Sequence, residues 1–167
     1  MKIKRYTDVI KSIDDLEHIE DLLSTRLWII QSSNSDNRTN FFMSYLDQVE
    51  VNFFEQQFRT IISEYTRENN IDKFDFERAY INCHPCGHPG NWHIDGDNGF
   101  TLLYYPLSKT DFGTEGATAF KDKGICYYKN NSIVIFPANI EHMATEHSHK
   151  STFRYTIAFK FQIKTIN

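Results

Sequence analysis

The chain has 167 residues, 40% of them apolar and 15% aromatic, with 14 Phe and 9 Tyr, which suffices for one well-buried core but not for two. A formal net charge of −4 argues against a strongly cationic nucleic-acid-binding surface. No apolar run approaches the ~18 residues of a membrane span, and the first residues lack the apolar stretch of a signal peptide. Three cysteines are too few and too odd a set for a secreted disulfide framework. A single domain in a reducing compartment, the cytoplasm, is expected.

In chain order, helical signals come first. Ser12 followed by Asp15 reads as a capping-box-like start, after which Ile13, Leu16, Ile19, Leu22 and Leu23 recur at helical spacing. The apolar run Trp28–Ile30 precedes the polar stretch Ser32–Asn40, whose Ser and Asn content predicts an exposed loop. Phe41–Leu46 reads as a strand. Phe54, Phe58, Ile61, Ile62 and Tyr65 mark one face of a longer helix ending near Asn69 and Asn70, with its aromatic residues in the core. From Phe74 onward the runs are short and rich in Phe, Tyr, Ile, Val and Thr: Phe74–His84, Phe100–Tyr105, Ala117–Phe120, Ser132–Phe136 and Phe153–Phe161. Gly, Pro, Asn and Asp separate them, which predicts a sandwich or barrel rather than alternating βαβ units. The expected fold class is α+β, mainly β, in one domain over 1–167, with helical support over 1–73 and a β core over 74–167.

The residues that carry chemistry lie in the second half. In a strand, residues i and i+2 share a face, so in His93-Ile94-Asp95 the imidazole and the carboxylate can converge on one point. Beyond the Ser132–Phe136 run, the turn Pro137-Ala138-Asn139-Ile140-Glu141 delivers His142. His147 and His149 compete for the same role, but their polar neighbours Glu146, Ser148 and Lys150 read as a solvated loop. Two histidines and one carboxylate on one side of a metal leave open positions, as in non-haem Fe(II) oxygenases. In Phe153–Phe159, Arg154, Thr156 and Ala158 share one strand face. An arginine on the inward face of a barrel strand needs an anionic partner, and a dicarboxylate would supply one in bidentate geometry.

Arg78–Phe161 resembles the catalytic core of the Fe(II)- and 2-oxoglutarate-dependent oxygenases, in their prolyl 4-hydroxylase-like branch. The resemblance rests on Arg78-Ala79-Tyr80-Ile81-Asn82, Gly87, His93-Ile94-Asp95, Thr101-Leu102-Leu103-Tyr104-Tyr105, Glu115-Gly116-Ala117-Thr118-Ala119-Phe120, Phe136-Pro137 before His142, and Arg154-Tyr155-Thr156-Ile157, in that order. It implies a double-stranded β-helix, or jelly roll, with N-terminal supporting helices. It further implies that His93, Asp95 and His142 hold Fe(II), that Arg154 pairs with the distal carboxylate of 2-oxoglutarate, and that the Tyr105 hydroxyl joins it. Leu103, sharing strand parity with Tyr105, and Tyr80, with Asn82 and His84, would line the co-substrate pocket. The implied reaction consumes O2, can be stimulated by ascorbate, and gives hydroxylated product, succinate and CO2 from a prolyl residue of a peptide or protein. Single alanine replacements of the metal ligands should end turnover and leave the fold largely intact, such a cavity being polar and open. The polar segment Ser32–Asn40 looks like the loop that closes over the peptide in these enzymes, with Arg38 as its substrate contact. Glu115 departs from the pattern, standing where the family commonly has the first glycine of a Gly-Gly pair.

Two other readings stand beside this one. Cys83-His84-Pro85-Cys86, with His88 and His93 close behind, has spacing compatible with structural zinc or thiol chemistry. A jelly-roll protein that binds a metal and an acidic ligand without being an oxygenase is the other.

Overall fold

The computed structural model describes residues 1–32 and 40–164. Two helices, α1 (Ile13–Ser24) and α2 (Gln48–Glu68), accompany ten strands among these residues. The strands are β1 (Lys4–Thr7), β2 (Ile29–Ser32), β3 (Asn40–Tyr45), β4 (Phe74–Pro85), β5 (Gly99–Tyr105), β6 (Thr118–Phe120), β7 (Gly124–Cys126), β8 (Ser132–Pro137), β9 (His142–Ala144) and β10 (Phe153–Ile163). Ser12 caps α1 by accepting from the Asp15 amide, and a full capping box of Asp47 and Glu50 starts α2. The C-cap of α2 falls at Asn69, as its periodicity predicts.

Seven strands form one antiparallel sheet in the order β1-β8-β5-β10-β4-β3-β2, and β7-β6-β9 form a smaller one. The arrangement is the expected jelly roll with supporting helices. Alternation of side chains gives the large sheet two different faces. On β10, Ile157, Phe159 and Phe161 join the core that holds Phe54, Phe58 and Tyr65 of α2, together with Leu102 and Tyr104 of β5 and Ile133 and Ile135 of β8. On the opposite face, Ala158, Leu103, Tyr105, Val134 and Phe136 pack with Phe120, Cys126 and Tyr128 in a second core. A cavity lined by Leu103, Phe136 and Ala158 opens from this inner face.

The N-terminal third is less purely helical than its periodicity suggests, since β1, β2 and β3 all join the large sheet. The short strands β7 and β9 also lie outside the predicted runs. No helix among the described residues is long and apolar enough to cross a membrane.

Candidate active site

His93, Asp95 and His142 are brought together as the motif spacing implies, though not by a regular strand. His142 starts β9, whereas His93 has only an isolated antiparallel bridge to it and Asp95 lies in no strand. The His93 amide donates to the His142 carbonyl at 3.0 Å, and the His142 amide donates back to the His93 carbonyl at 2.9 Å. The Asp95 amide donates to the Ala138 carbonyl at 2.8 Å, placing the carboxylate between the two rings. His93 Nε2 lies 3.5 Å from Asp95 Oδ1, and His142 Nε2 lies 3.5 Å from Asp95 Oδ2. One ligand atom from each of the three residues falls within 4.8 Å of the others, the single such group of three or more among the described residues.

The histidine tautomers suit a metal. Nδ1 of His93 is 2.8 Å from the Asn91 carbonyl and Nδ1 of His142 is 2.9 Å from the Ile140 carbonyl. A carbonyl only accepts, so each Nδ1 carries a proton and Nε2 is the nitrogen left to ligate, which for His93 means giving up the Nε2 proton it donates to Asp95. Burial works against the Asp95 carboxylate, but the hydrogen bond from His93 and the nearby Lys160 and His142 hold it well below the usual carboxylate range. Burial pushes the His142 imidazole down to about 4, so it is neutral and ready to ligate at neutral pH. His93, hydrogen-bonded to Asp95, is raised.

His93 and His142 line a cavity of about 420 Å³. Arg154, at 1% exposure, forms part of its wall, and Thr156, Ala158 and Lys160 follow it along the same face of β10. The Arg154 Nε donates to the Gly116 carbonyl, and Nη2 donates to the Ala117 carbonyl at 3.3 Å and to Thr118 Oγ1 at 3.1 Å. No carboxylate pairs with this guanidinium among the described residues. Gly116 has φ +58°, and a Cβ there would meet Arg154 Cδ and Phe112 Cδ1 at 3.3 Å, so the turn needs this one glycine to let the arginine pass. Glu115 disturbs nothing: it accepts from the Ser148 amide at 2.6 Å and ties the turn to the following loop.

Leu103 and Tyr80 both line the cavity, with Asn82 and His84 beside Tyr80. Tyr105 stands one layer back. Its hydroxyl donates to Thr118 Oγ1 at 2.7 Å, and it is Thr118 that reaches the cavity wall. With both lone pairs of Thr118 occupied by Tyr105 and Arg154, its own proton is left for an acceptor in the cavity. Thr118 and Lys160 are the site residues that sequence reasoning passed over. Arg38 lies outside the described residues.

The cysteine motif does not assemble. Strand parity turns Cys83 to the face opposite His84, beside Tyr155, and Cys83, Cys86 and His88 form no ligand cluster. His147, placed by its polar neighbours in a solvated loop, is instead 1% exposed under Phe112, its Nε2 donating to the His84 carbonyl at 3.1 Å. It is not part of the His93, Asp95 and His142 cluster.

His84 faces Arg154 across the β4–β10 pairing, stacks on Phe41 and bonds through Nδ1 to the His88 carbonyl. Burial, with Arg154 beside it, pushes the imidazole down to about 3. A buried neutral histidine contributes stability that is complete above its unfolded pKa and declines as pH falls toward the folded one. Stability should therefore drop below about pH 6.5, by about 1.4 kcal/mol per pH unit for each such group. His142 shares this window, so His84→Gln should lessen the slope by one proton's share, read from urea unfolding across acid pH. An unchanged slope would mean that His84 is protonated in the folded protein.

No protein-family model matches the sequence, and no curated protein matches it. Solved structures do. The viral collagen prolyl hydroxylase of Paramecium Bursaria Chlorella virus-1, in a 2-oxoglutarate complex, is 15% identical and superposes with a TM-score of 0.74 over 98% of this chain and 97% of that one. A Trichoplax adhaerens prolyl hydroxylase, solved with a peptide of the hypoxia-inducible factor oxygen degradation domain, gives 0.71 at 14% identity over 96% and 83%. The non-haem α-ketoglutarate-dependent carbocyclase SnoK of nogalamycin biosynthesis gives 0.71 at 11% over 96% and 79%. The fold is that of the 2-oxoglutarate/Fe(II) oxygenases. More particularly, the chain is folded as the prolyl hydroxylases are.

Proposed function

We propose that this protein is an Fe(II)- and 2-oxoglutarate-dependent dioxygenase that hydroxylates a prolyl residue in a peptide or protein, forming succinate and CO2. The observation that carries the reading is the convergence of His93, Asp95 and His142 beside a cavity lined by both histidines and by a buried Arg154, which no acidic side chain neutralises among the described residues. The donor set fits Fe(II), offering two imidazole nitrogens and one carboxylate oxygen, with both tautomers fixed by backbone carbonyls. Arg154 and Thr118 fit the far carboxylate of 2-oxoglutarate, one by charge and fork geometry and the other by its free proton. Iron, when bound there, supplies O2 activation coupled to oxidative decarboxylation of the co-substrate.

The protein's own part is placement. Asp95 and the two histidines fix the metal's position, and Arg154 anchors the co-substrate deep in the cavity. Leu103, Phe136 and Ala158 add apolar surface to the cavity wall. Tyr45, in edge contact with Tyr80, and Trp92 are about half exposed and line the same cavity, giving it aromatic surface suited to a pyrrolidine or an extended peptide. Prolyl specificity draws further support from the two prolyl hydroxylases of like fold, one of them solved with a peptide.

The test is turnover by the full chain with Fe(II), 2-oxoglutarate, O2 and ascorbate. Peptides containing proline should gain the mass of one oxygen atom and yield succinate in equal amount, whereas the same peptides with alanine in place of proline should not. Succinate formation coupled only to alanine-tolerant oxidation would retain the oxygenase and remove the prolyl assignment. Absence of any 2-oxoglutarate consumption would favour a metal-binding jelly roll without oxygenase activity.

A further inference from the structure

A lysine is buried against the metal-ligand carboxylate. Lys160 lies on the inward face of β10, 4% exposed, between Arg78 of β4 and Thr101 of β5 in the strand register. Its ammonium is paired with Asp95 Oδ2 and lies 3.4 Å from Thr101 Oγ1. The Thr101 hydroxyl donates to the same Oδ2 at 2.6 Å. The lysine's remaining side faces the Tyr80 ring, 5.6 Å from its centroid. Oδ2 thus has two donors of the protein's own and lies 3.5 Å from His142 Nε2, while Oδ1 faces His93.

Resting on the metal-site reading above, we propose that Lys160 is a resident counter-cation of the metal centre that sets both metal and co-substrate affinity. With Thr101 it occupies Oδ2, which leaves Oδ1 as the ligand oxygen and makes Asp95 a one-oxygen ligand. In the metal-free protein it is the buried counter-charge of the Asp95 carboxylate, beside the hydrogen bonds from His93 and Thr101. A divalent cation entering beside it meets a like charge in a medium of low dielectric, so the site binds metal less tightly than its three ligands alone would. The same charge makes the loaded cavity more positive by one, which favours a dianionic co-substrate. Lys160 acts through Asp95 and through the field in the cavity, as a positioning residue.

The two effects have opposite signs, and the experiment uses this. Co(II) is titrated into the metal-free full chain and followed by its visible absorption; 2-oxoglutarate is then titrated calorimetrically into the Co(II)-loaded protein without O2. In Lys160→Met and Lys160→Gln, Co(II) should bind about tenfold more tightly, the effect of removing one nearby like charge. 2-Oxoglutarate should bind several-fold more weakly. Lys160→Arg, which keeps the charge, should stay close to the unmodified protein in both. Gln retains a hydrogen-bond donor for Asp95 should the Met variant fold poorly. Affinities that move in the same direction, or do not move in either neutral variant, would overturn the role of Lys160. Failure of the unmodified protein to bind Co(II), or binding that survives His93→Ala, would instead overturn the metal site itself.

Discussion

Alanine replacement of any one metal ligand is expected to abolish 2-oxoglutarate turnover, but the three variants should differ sharply in stability. The His93 side chain is 52% exposed, so His93→Ala should lose Fe(II)-dependent succinate formation while its thermal unfolding stays near that of the unmodified protein. The Asp95 and Lys160 side chains are 4% and 5% exposed. Asp95→Ala leaves the Lys160 ammonium buried with no counter-charge, and removing one partner of such a pair costs roughly 3–5 kcal/mol. That variant should therefore lose stability and activity together, which corrects the sequence-based expectation that any single replacement spares the fold. Asp95→Asn, which keeps the shape and an acceptor for Thr101, should recover much of the stability and none of the turnover. Circular dichroism melts alongside a succinate assay separate these outcomes. Turnover that persists in His142→Ala would remove the proposed ligand set.

The second large effect belongs to Arg154. Arg154→Ala should raise KM for 2-oxoglutarate roughly 30-fold or more, since truncating one partner of a desolvated charge pair costs about 2–5 kcal/mol. Arg154→Lys should recover part of this, the charge returning without the planar fork. The hydrogen-bond order Tyr105 to Thr118 to cavity sets two finer effects. Thr118→Val removes a donor at the wall and should raise KM more than Tyr105→Phe, whose hydroxyl reaches the cavity only through Thr118. Initial-rate measurements at several 2-oxoglutarate concentrations give all four values. An unaltered KM in Arg154→Ala would mean that the buried guanidinium serves the turn at Gly116 and Ala117 and no co-substrate.

What was legible in the sequence was what short-range geometry encodes. The i, i+2 relation of His93 and Asp95, the turn that carries His142 past a buried strand, and the parity of Arg154 with Thr156 and Ala158 are all local; the last two hold in the fold, while His93 and Asp95 converge without the strand that the first assumes. Lys160 has that same parity two residues beyond Ala158, so the signal was present. Its flanking Phe159 and Phe161 belong to the opposite face and drew attention to the core. Thr118 could not be found by counting along one strand, because its role depends on β6 lying against Arg154 from the other sheet. His147 misleads because its neighbours Glu146 and Ser148 are exposed while its own ring is covered by Phe112, a residue more than thirty positions away in the chain. β1 carries no apolar alternation of its own, and its register comes from pairing with β8.

The reciprocal amide bonds between His93 and His142 bear on how this protein handles metals. These two proposed ligands, drawn from distant parts of the chain, are spaced by main-chain pairing, with their rings packed 4.4 Å apart. Such a pair behaves as a rigid chelator whose bite does not widen or narrow to suit the ion that arrives. Discrimination among divalent ions then falls to charge and to the open coordination positions. The chelating pair can also be carried intact through extensive rewriting of the surrounding cavity wall, because the amides that hold it belong to no particular side chain.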